Sequence, residues 1–434
     1  MPLESRDSLE YLHYKIQRKE VLSMKLLVGL DVSSQKLDVC MLQSDKKVLC
    51  QTTVDNNLFG ADLIKNNILT YTNSCDYESI EIGLESTSVY SFHPAMFFYE
   101  DNTLKTMNTH IHVINPKRVH KFKAMFDEDK TDKMDAYRIA DYLRGEFHTT
   151  NLIKSEQYVA LQKLTRTRHQ LIKQLVASKQ HFIENLYYKC NTLSAEIDTN
   201  IFGTTMMEII TDEDGMDAFA EMPLKDLKAF LIEKSKGRFS NPESLAKAIQ
   251  KAIRNSYRLG EILSGSVDLI LGTYANIIRT LQKQIKILDK SISDVFSSLP
   301  EAQSLLSIPG IGPVFAAGIL AEVGQIERFD DQAKLAKYAG LSWSKYQSGT
   351  FTAEKTSMRR TGNQYLRYYL VEAANSVRMH IPEYRKYYAK KAAEVPKFKH
   401  KRALVLTARK FVRLVDALLR THQLYSPERE CAKI

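Results

Sequence analysis

No apolar run of 18 or more residues occurs anywhere in the 434-residue chain, which excludes a membrane-spanning helix of ordinary length. The first 24 residues carry acids and lack an apolar h-region, so they are not read as a signal peptide. They are an awkward preface to the first strand, and Met24 is a candidate native start. The five cysteines, Cys40, Cys50, Cys75, Cys190 and Cys431, are odd in number, scattered, and never spaced C-x-x-C. That excludes a disulfide framework and a zinc ribbon, and it fits a reducing cytoplasm. Acidic excess is also missing. The net charge is +10, and residues 301–434 alone hold 23 Lys and Arg against 12 Asp and Glu. A basic terminal third on a near-neutral body implies a polyanionic partner, most simply nucleic acid; a solubilising surface is the plainer alternative.

At this length, with 44% hydrophobic residues, two or three domains can each bury a core. Residues 25–150 alternate strand and helix signals. The segments "KLLVGLDVS", "KLDVCML" and "KVLCQTTV" read as a three-stranded meander. A helix follows over 56–69, a strand over 79–86, a helix over 90–100, a strand over 110–116 stopped by Pro116, and a helix over 130–145. The order βββαβαβα predicts an α/β layer fold with a mixed sheet.

Residues 151–300 carry two long helical segments. Leu161, Leu164, Leu171, Leu175 and Phe182 recur at near-heptad spacing in the first. Ile277, Leu281, Ile285, Leu288 and Ile292 do so in the second. The pattern suits an antiparallel hairpin inside one chain or a coiled-coil dimer stalk. Between them, residues 196–265 read as a helical insertion without chemistry of its own. Residues 301–425 are again mostly helical, with breaks at 309–312 and 348–363, and 426–434 form a tail.

Three constellations carry chemistry. Asp31 and Glu85 each end an apolar strand, and Asp132 and Asp135 stand three apart on one helical face. Sites in open α/β sheets form at the carboxyl ends of strands. Four converging carboxylates need a cation, and Mg²⁺ takes carboxylate oxygens and can clamp a phosphoryl displacement. Taken singly, each acid is ordinary at a strand end or helix start. Next, Gly310 and Gly312 lie between two apolar helical segments, like a helix-hairpin-helix whose backbone N–H groups approach a phosphate. An ordinary tight turn gives the same pattern. Finally, Ser348 precedes Gly349 amid Lys345, Tyr346, Lys355, Arg359, Arg360, Asn363 and Arg367. A serine attacking a phosphodiester needs an exposed backbone and cations on the phosphate. Serines beside glycine are also common turn residues.

Together these segments resemble the DEDD-type insertion-sequence transposases, a family of RNA-guided (bridge RNA) serine recombinases that includes pilin-gene invertases. The resemblance runs through "VGLDVSSQKLDV", "IGLESTSVY", "VINPKRVHKF" with "KTDKMDA", "SIPGIGPVFAAGILAEVGQIERF", "KLAKYAGL" and "YQSG", covering about 25–150 and 300–420. It implies a RuvC-like, ribonuclease-H-type domain, a coiled coil, and a helical domain with a catalytic serine. By motif the metal-holding tetrad is Asp31, Glu85, Asp132 and Asp135, and the nucleophile is Ser348. It further implies Mg²⁺, double-stranded DNA of element ends and target, a structured element-encoded RNA, and a homodimer or homotetramer in which acids and serine come from different protomers. The chain departs from the family in its acidic Asp127, Glu128 and Asp129, its long 196–265 segment, and the less basic stretch after Ser348. Two other functions fit the same residues: a metal-dependent junction resolvase using the tetrad alone, and a non-catalytic nucleic-acid-binding remnant.

Overall fold

The computed structural model describes residues 24–86, 89–126, 131–145, 156–212, 216–343, 347–348, 351–352, 358 and 361–427; at 347–348 and 351–352 it describes the backbone only. The chain divides into two compact units at residues 155–156.

The first unit is built on a five-stranded sheet of order β3-β2-β1-β4-β5. Its strands are β1 (Lys25–Val32), β2 (Lys36–Gln43), β3 (Val48–Asp55), β4 (Ser79–Glu85) and β5 (Thr109–Ile114). β1 pairs antiparallel with β2 and parallel with β4. The meander and the mixed sheet expected from the sequence are both present, consistent with a ribonuclease-H-like domain. β1 and β4 are buried along almost their whole length because both their faces are covered; β1 is nearly all apolar, whereas β4 buries Ser79 and Glu81 as well. β3, at the edge, has only half-buried and exposed residues, alternating over its second half.

One face of the sheet carries α1 (Leu58–Ser74) and α2 (Phe92–Glu100), whose Ile64, Ile68 and Phe98 pack on Leu26, Val28 and Leu30. A short helix, α3, covers Asn102–Lys105. The other face carries α4 (Pro116–Lys123) and α5 (Asp132–Arg144), which close over Leu27 through Ala136, Ile139 and Ala140. α5 lies directly against β1. A Cβ on Gly29 would stand 2.5 Å from the Ala140 amide nitrogen and closer still to the Ala136 carbonyl. Only glycine permits this approach, which sets the start of α5 beside the end of β1. Gly29→Ala is expected to cost roughly 1–3 kcal/mol by overpacking. Urea denaturation checks this: an unchanged midpoint would mean that α5 yields without cost.

The second unit is helical. α6 (Glu156–Lys189) and α12 (Glu261–Ser297) run antiparallel, tied by the ion pairs Arg168–Asp289 and Lys189–Asp268. Of the two arrangements compatible with their heptads, the single chain forms the hairpin. At one end of the pair, Phe182, Leu186, Leu271 and Ile278 enter a core with the inserted helices α7 (Leu193–Glu196), α8 (Thr204–Ile210), α9 (Met216–Glu221), α10 (Leu224–Ser235) and α11 (Pro242–Asn255). At the other end, Leu161, Ile292 and Phe296 join the carboxy-terminal helices. The stalk expected over 151–300 and the helical domain expected over 301–425 therefore share one core. Ile277, expected inside the seam, is 40% exposed, because its face of α12 turns away from α6.

The carboxy-terminal helices are α13 (Ala302–Leu306), α14 (Pro313–Val323), α15 (Gln332–Tyr338), α16 (Gln364–His380), α17 (Pro382–Ala393) and α18 (Lys399–Thr421). The break expected at 348–363 contains an antiparallel ribbon, β6 (Gln347–Ser348) with β7 (Phe351–Thr352), extended by a bridge between Trp343 and Met358.

Candidate active site

Asp31 is the penultimate residue of β1 and Glu85 the last of β4, on neighbouring parallel strands. Asp132 opens α5, and Asp135 lies one turn on. Thr131 fixes that start: its hydroxyl accepts a hydrogen bond from the Met134 N–H at 3.2 Å, a cap worth about 1 kcal/mol. The four acids expected from the sequence thus meet at the carboxyl edge of the sheet, on the face covered by α5. Burial first, then the negative charges of Asp135, Glu85 and Asp132, push the Asp31 carboxyl up to about 6 against the pull of Lys123.

Lys123 is the residue that the sequence reading missed. It ends α4, and its ammonium donates to Glu85 Oε1 and Asp135 Oδ1, both at 3.0 Å. Burial opposes its charge, but these two carboxylates hold its pKa above the usual lysine value. The expected strand stopped at Pro116, whereas Pro116 begins a helix: Asn115 caps it by accepting from the Lys117 N–H at 2.9 Å. The Asn-Pro pair followed by "KRVHKFK" was the available signal.

The oxygen-only donor set suits a hard divalent cation, and the acids around the buried Asp31 add to the raising of its pKa. As the side chains stand, no group of three His, Cys, Asp or Glu among the described residues is arranged to hold a metal ion. Lys123 occupies the place between Glu85 and Asp135 instead. A cation binding there has to displace its ammonium. Asp127, Glu128 and Asp129, the expected competitors, lie outside the described residues.

Ser348 ends β6 and pairs with Phe351. The base of this ribbon is locked. Gly362 has φ +154°, and a Cβ there would stand 2.6 Å from the Gly340 nitrogen and 2.7 Å from the Tyr338 carbonyl oxygen. The next residue, Asn363, donates its backbone N–H to Tyr338 O at 2.7 Å. Its Oδ1 caps α16 by accepting from the Tyr365 and Leu366 amides, both at 3.0 Å. Its Nδ2 donates to Glu322 Oε2 at 2.6 Å. Glu322 is fully buried near the end of α14, and Arg166 of α6 grips it through two bonds of 2.7 and 2.9 Å. One buried carboxylate therefore joins the long helix, the second helix of the glycine turn, and the helix that follows the ribbon. Glu322→Ala leaves the half-buried Arg166 guanidinium without its carboxylate and is expected to cost about 3–5 kcal/mol. Chemical denaturation reads this directly; a loss below about 1 kcal/mol would deny the network its role.

The other expected nucleic-acid contacts divide into three groups. Gly310 (φ +89°) is pressed against α16: its carbonyl accepts from the Ser376 hydroxyl at 2.6 Å, and a Cβ would lie 2.5 Å from His380 Nδ1. Arg367 donates to the Ala339 carbonyl at 3.2 Å, and Asn363 is engaged as above. These three hold the fold. Gly312 is open, with nothing within 4 Å of its Cβ position, at the start of α14. Lys345, Tyr346, Lys355, Arg359 and Arg360 lie outside the described residues.

A family model described as "Transposase", for the DEDD proteins of the IS110 type, matches residues 28–188, which span all four carboxylates. A second, "Transposase IS116/IS110/IS902 family", matches residues 302–389, which span the glycine turn and Ser348. The chain belongs to the IS110/IS116 family of insertion-sequence transposases. It is similar to the insertion element IS116 uncharacterized 44.8 kDa protein of Streptomyces clavuligerus, 28% identical over 69% of this chain and 73% of the relative. It is also similar to the insertion element IS900 uncharacterized 42 kDa protein of Mycobacterium paratuberculosis, 28% identical over 69% of this chain and 74% of the relative. As an IS110/IS116-type transposase it is a DNA-transposing enzyme. Among the described residues, no helix is long and apolar enough to cross a membrane.

Proposed function

We propose that this transposase exchanges DNA strands between the ends of its element and a target through a covalent Ser348–DNA intermediate, with Asp31, Glu85, Asp132 and Asp135 holding Mg²⁺. The observation that carries the reading is the approach of four carboxylates at one sheet edge, where burial first and then the charges of Asp135, Glu85 and Asp132 raise the Asp31 carboxyl to about 6. On this reading Ser348 Oγ attacks the scissile phosphorus. The Oγ–P bond forms, the P–O bond to the departing strand breaks, the serine loses its proton, and the departing oxygen leaves as a hydroxyl. A second strand's hydroxyl then attacks the phosphoserine ester and releases the enzyme. Mg²⁺ would neutralise developing charge on the phosphate oxygens. Lys123 holds Glu85 and Asp135 together, and a cation held by the tetrad would take over its charge-neutralising role.

The RuvC-like character of the sheet domain, guidance by a structured element-encoded RNA, and a dimer or tetramer joining acids and serine from different protomers belong to the same proposal. They rest on the family resemblance and on the basic terminal third. The test is cleavage of DNA carrying the joined element ends, with RNA transcribed from the element's flanks, with and without Mg²⁺. Nicking that requires Mg²⁺ and disappears on chelation is expected. Undiminished nicking in excess chelator would contradict the assignment of the tetrad.

A further inference from the structure

The turn between α17 and α18 is built against the ordinary preferences of a helix start. Phe398 occupies the N-cap of α18 with φ +55°, a left-handed conformation that a bulky side chain rarely adopts, and it caps nothing. Serine, aspartate or asparagine is favoured there. The phenyl ring is 81% exposed, so the core gains nothing from it either. Lys397, Lys399 and Lys401 flank it, and the first turn of α18 carries no acid. Three positive charges thus crowd the positive end of the helix dipole, where anions are favoured. Lys390 adds a fourth on the last turn of α17.

The arrangement is nonetheless held firmly. Glu394 bonds Lys391 at 2.6 Å and Arg402 at 3.1 Å, Arg402 reaches the Lys391 carbonyl at 3.1 Å, and Tyr388 meets His400 at 2.7 Å. Those contacts use the neighbouring cations. Among the described residues, no ion pair is formed by Lys390, Lys397, Lys399 or Lys401.

We propose that this turn is a nucleic-acid-binding prong: Phe398 stacks on an unpaired base while Lys397, Lys399 and Lys401 contact the phosphates on either side of it. A bound phosphate relieves both the lysine repulsion and the unfilled helix start, and an exposed aromatic amid cations is the pattern that binds single strands irrespective of sequence. The proposal deepens the reading of the protein as a nucleic-acid-processing enzyme and rests on it.

The test uses the full-length protein with a single-stranded DNA of about 20 nucleotides, an RNA of the same sequence, the corresponding duplex, and vesicles of phosphatidylserine and phosphatidylcholine. In Phe398→Trp, the new indole emission should be quenched by the single strands more than by the duplex. The DNA and RNA arms identify the strand type held. Phe398→Gly should bind the single strand about tenfold more weakly, while its melting temperature stays equal or rises, because glycine accepts the left-handed conformation. Replacing Lys397, Lys399 and Lys401 with Gln should flatten the salt dependence of log K by about 2. Wild-type affinity in Phe398→Gly overturns the prong while leaving the nucleic-acid reading intact. An emission change in Phe398→Trp that is confined to vesicles overturns it in favour of a lipid surface. A wild-type protein that binds no nucleic acid at all overturns both.

Discussion

Ser348→Ala abolishes strand exchange, lowering its rate by at least about 10³-fold, while DNA affinity stays within about twofold of the wild type. The expectation follows from the order of events proposed for the ribbon. If Ser348 Oγ forms the first bond to phosphorus, no other atom of the chain substitutes for it. The mutation removes one oxygen from a β-ribbon whose base is fixed elsewhere, by Gly362 against Gly340 and by Asn363 against Glu322 and Tyr338. Folding of the helical unit is therefore expected to be untouched. Single-turnover exchange on joined element ends, set beside equilibrium binding of the same DNA, separates the two effects. Exchange at the wild-type rate would return Ser348 to the status of a turn residue.

Asp31→Asn is the second large effect, with two readouts that move in opposite directions. Activity should fall by about 10³-fold or more, because a carboxylate that faces the proposed cation and the scissile phosphate is neutralised. Stability of the metal-free protein at neutral pH should rise. The sign follows from the raised pKa. Asp31 in the folded protein titrates near 6, against an ordinary value of 3.8. Its favourable contribution is complete below the ordinary value and is lost as pH rises through about 6, because the folded state holds the proton that the unfolded chain has released. The wild type without divalent cations should lose melting temperature between about pH 4 and pH 6, and Asp31→Asn should lose less. Thermal melts across that range in chelating buffer read the difference. Parallel pH profiles for the two proteins would mean that burial and the neighbouring acids do not raise the Asp31 pKa as described.

Asp31 and Glu85 were legible in the sequence because each closes an apolar run, and the carboxyl end of a central strand is where chemistry collects in such sheets. Asp132 and Asp135 were legible from their spacing. Lys123 was not, because its helix begins with an Asn-Pro pair that reads equally well as the end of a strand. The consequence is specific: a lysine from the neighbouring helix joins two of the carboxylates, so a cation there has an ammonium to displace.

Asn363 carries two signals at once. Placed among arginines, it reads as a nucleic-acid contact, yet "TGN" before "QYLRYYL" is also a helix start, and the fold uses it as one. The pairing of Glu322 with Arg166 could not be read at all: 156 residues separate them, and neither helix names its partner. The long helices were plain from their periodicity. Ile277 was misplaced because a straight helix drifts against a strict heptad, so a seam assigned by sevens leaves the interface within a few turns. The left-handed Phe398 had no sequence signal beyond the lysines around it.

The central claim joins the serine to the chemistry, and one measurement reaches it directly. The protein is incubated with Mg²⁺, DNA carrying the element junction and RNA from the element's flanks, then denatured, digested and analysed by mass spectrometry for a peptide bearing a nucleotide. The account predicts an adduct on Ser348, present with Mg²⁺ and absent from Asp31→Asn. Cleaved DNA with no protein-linked nucleotide would contradict it and leave the four carboxylates to act alone, as in a metal-dependent nuclease.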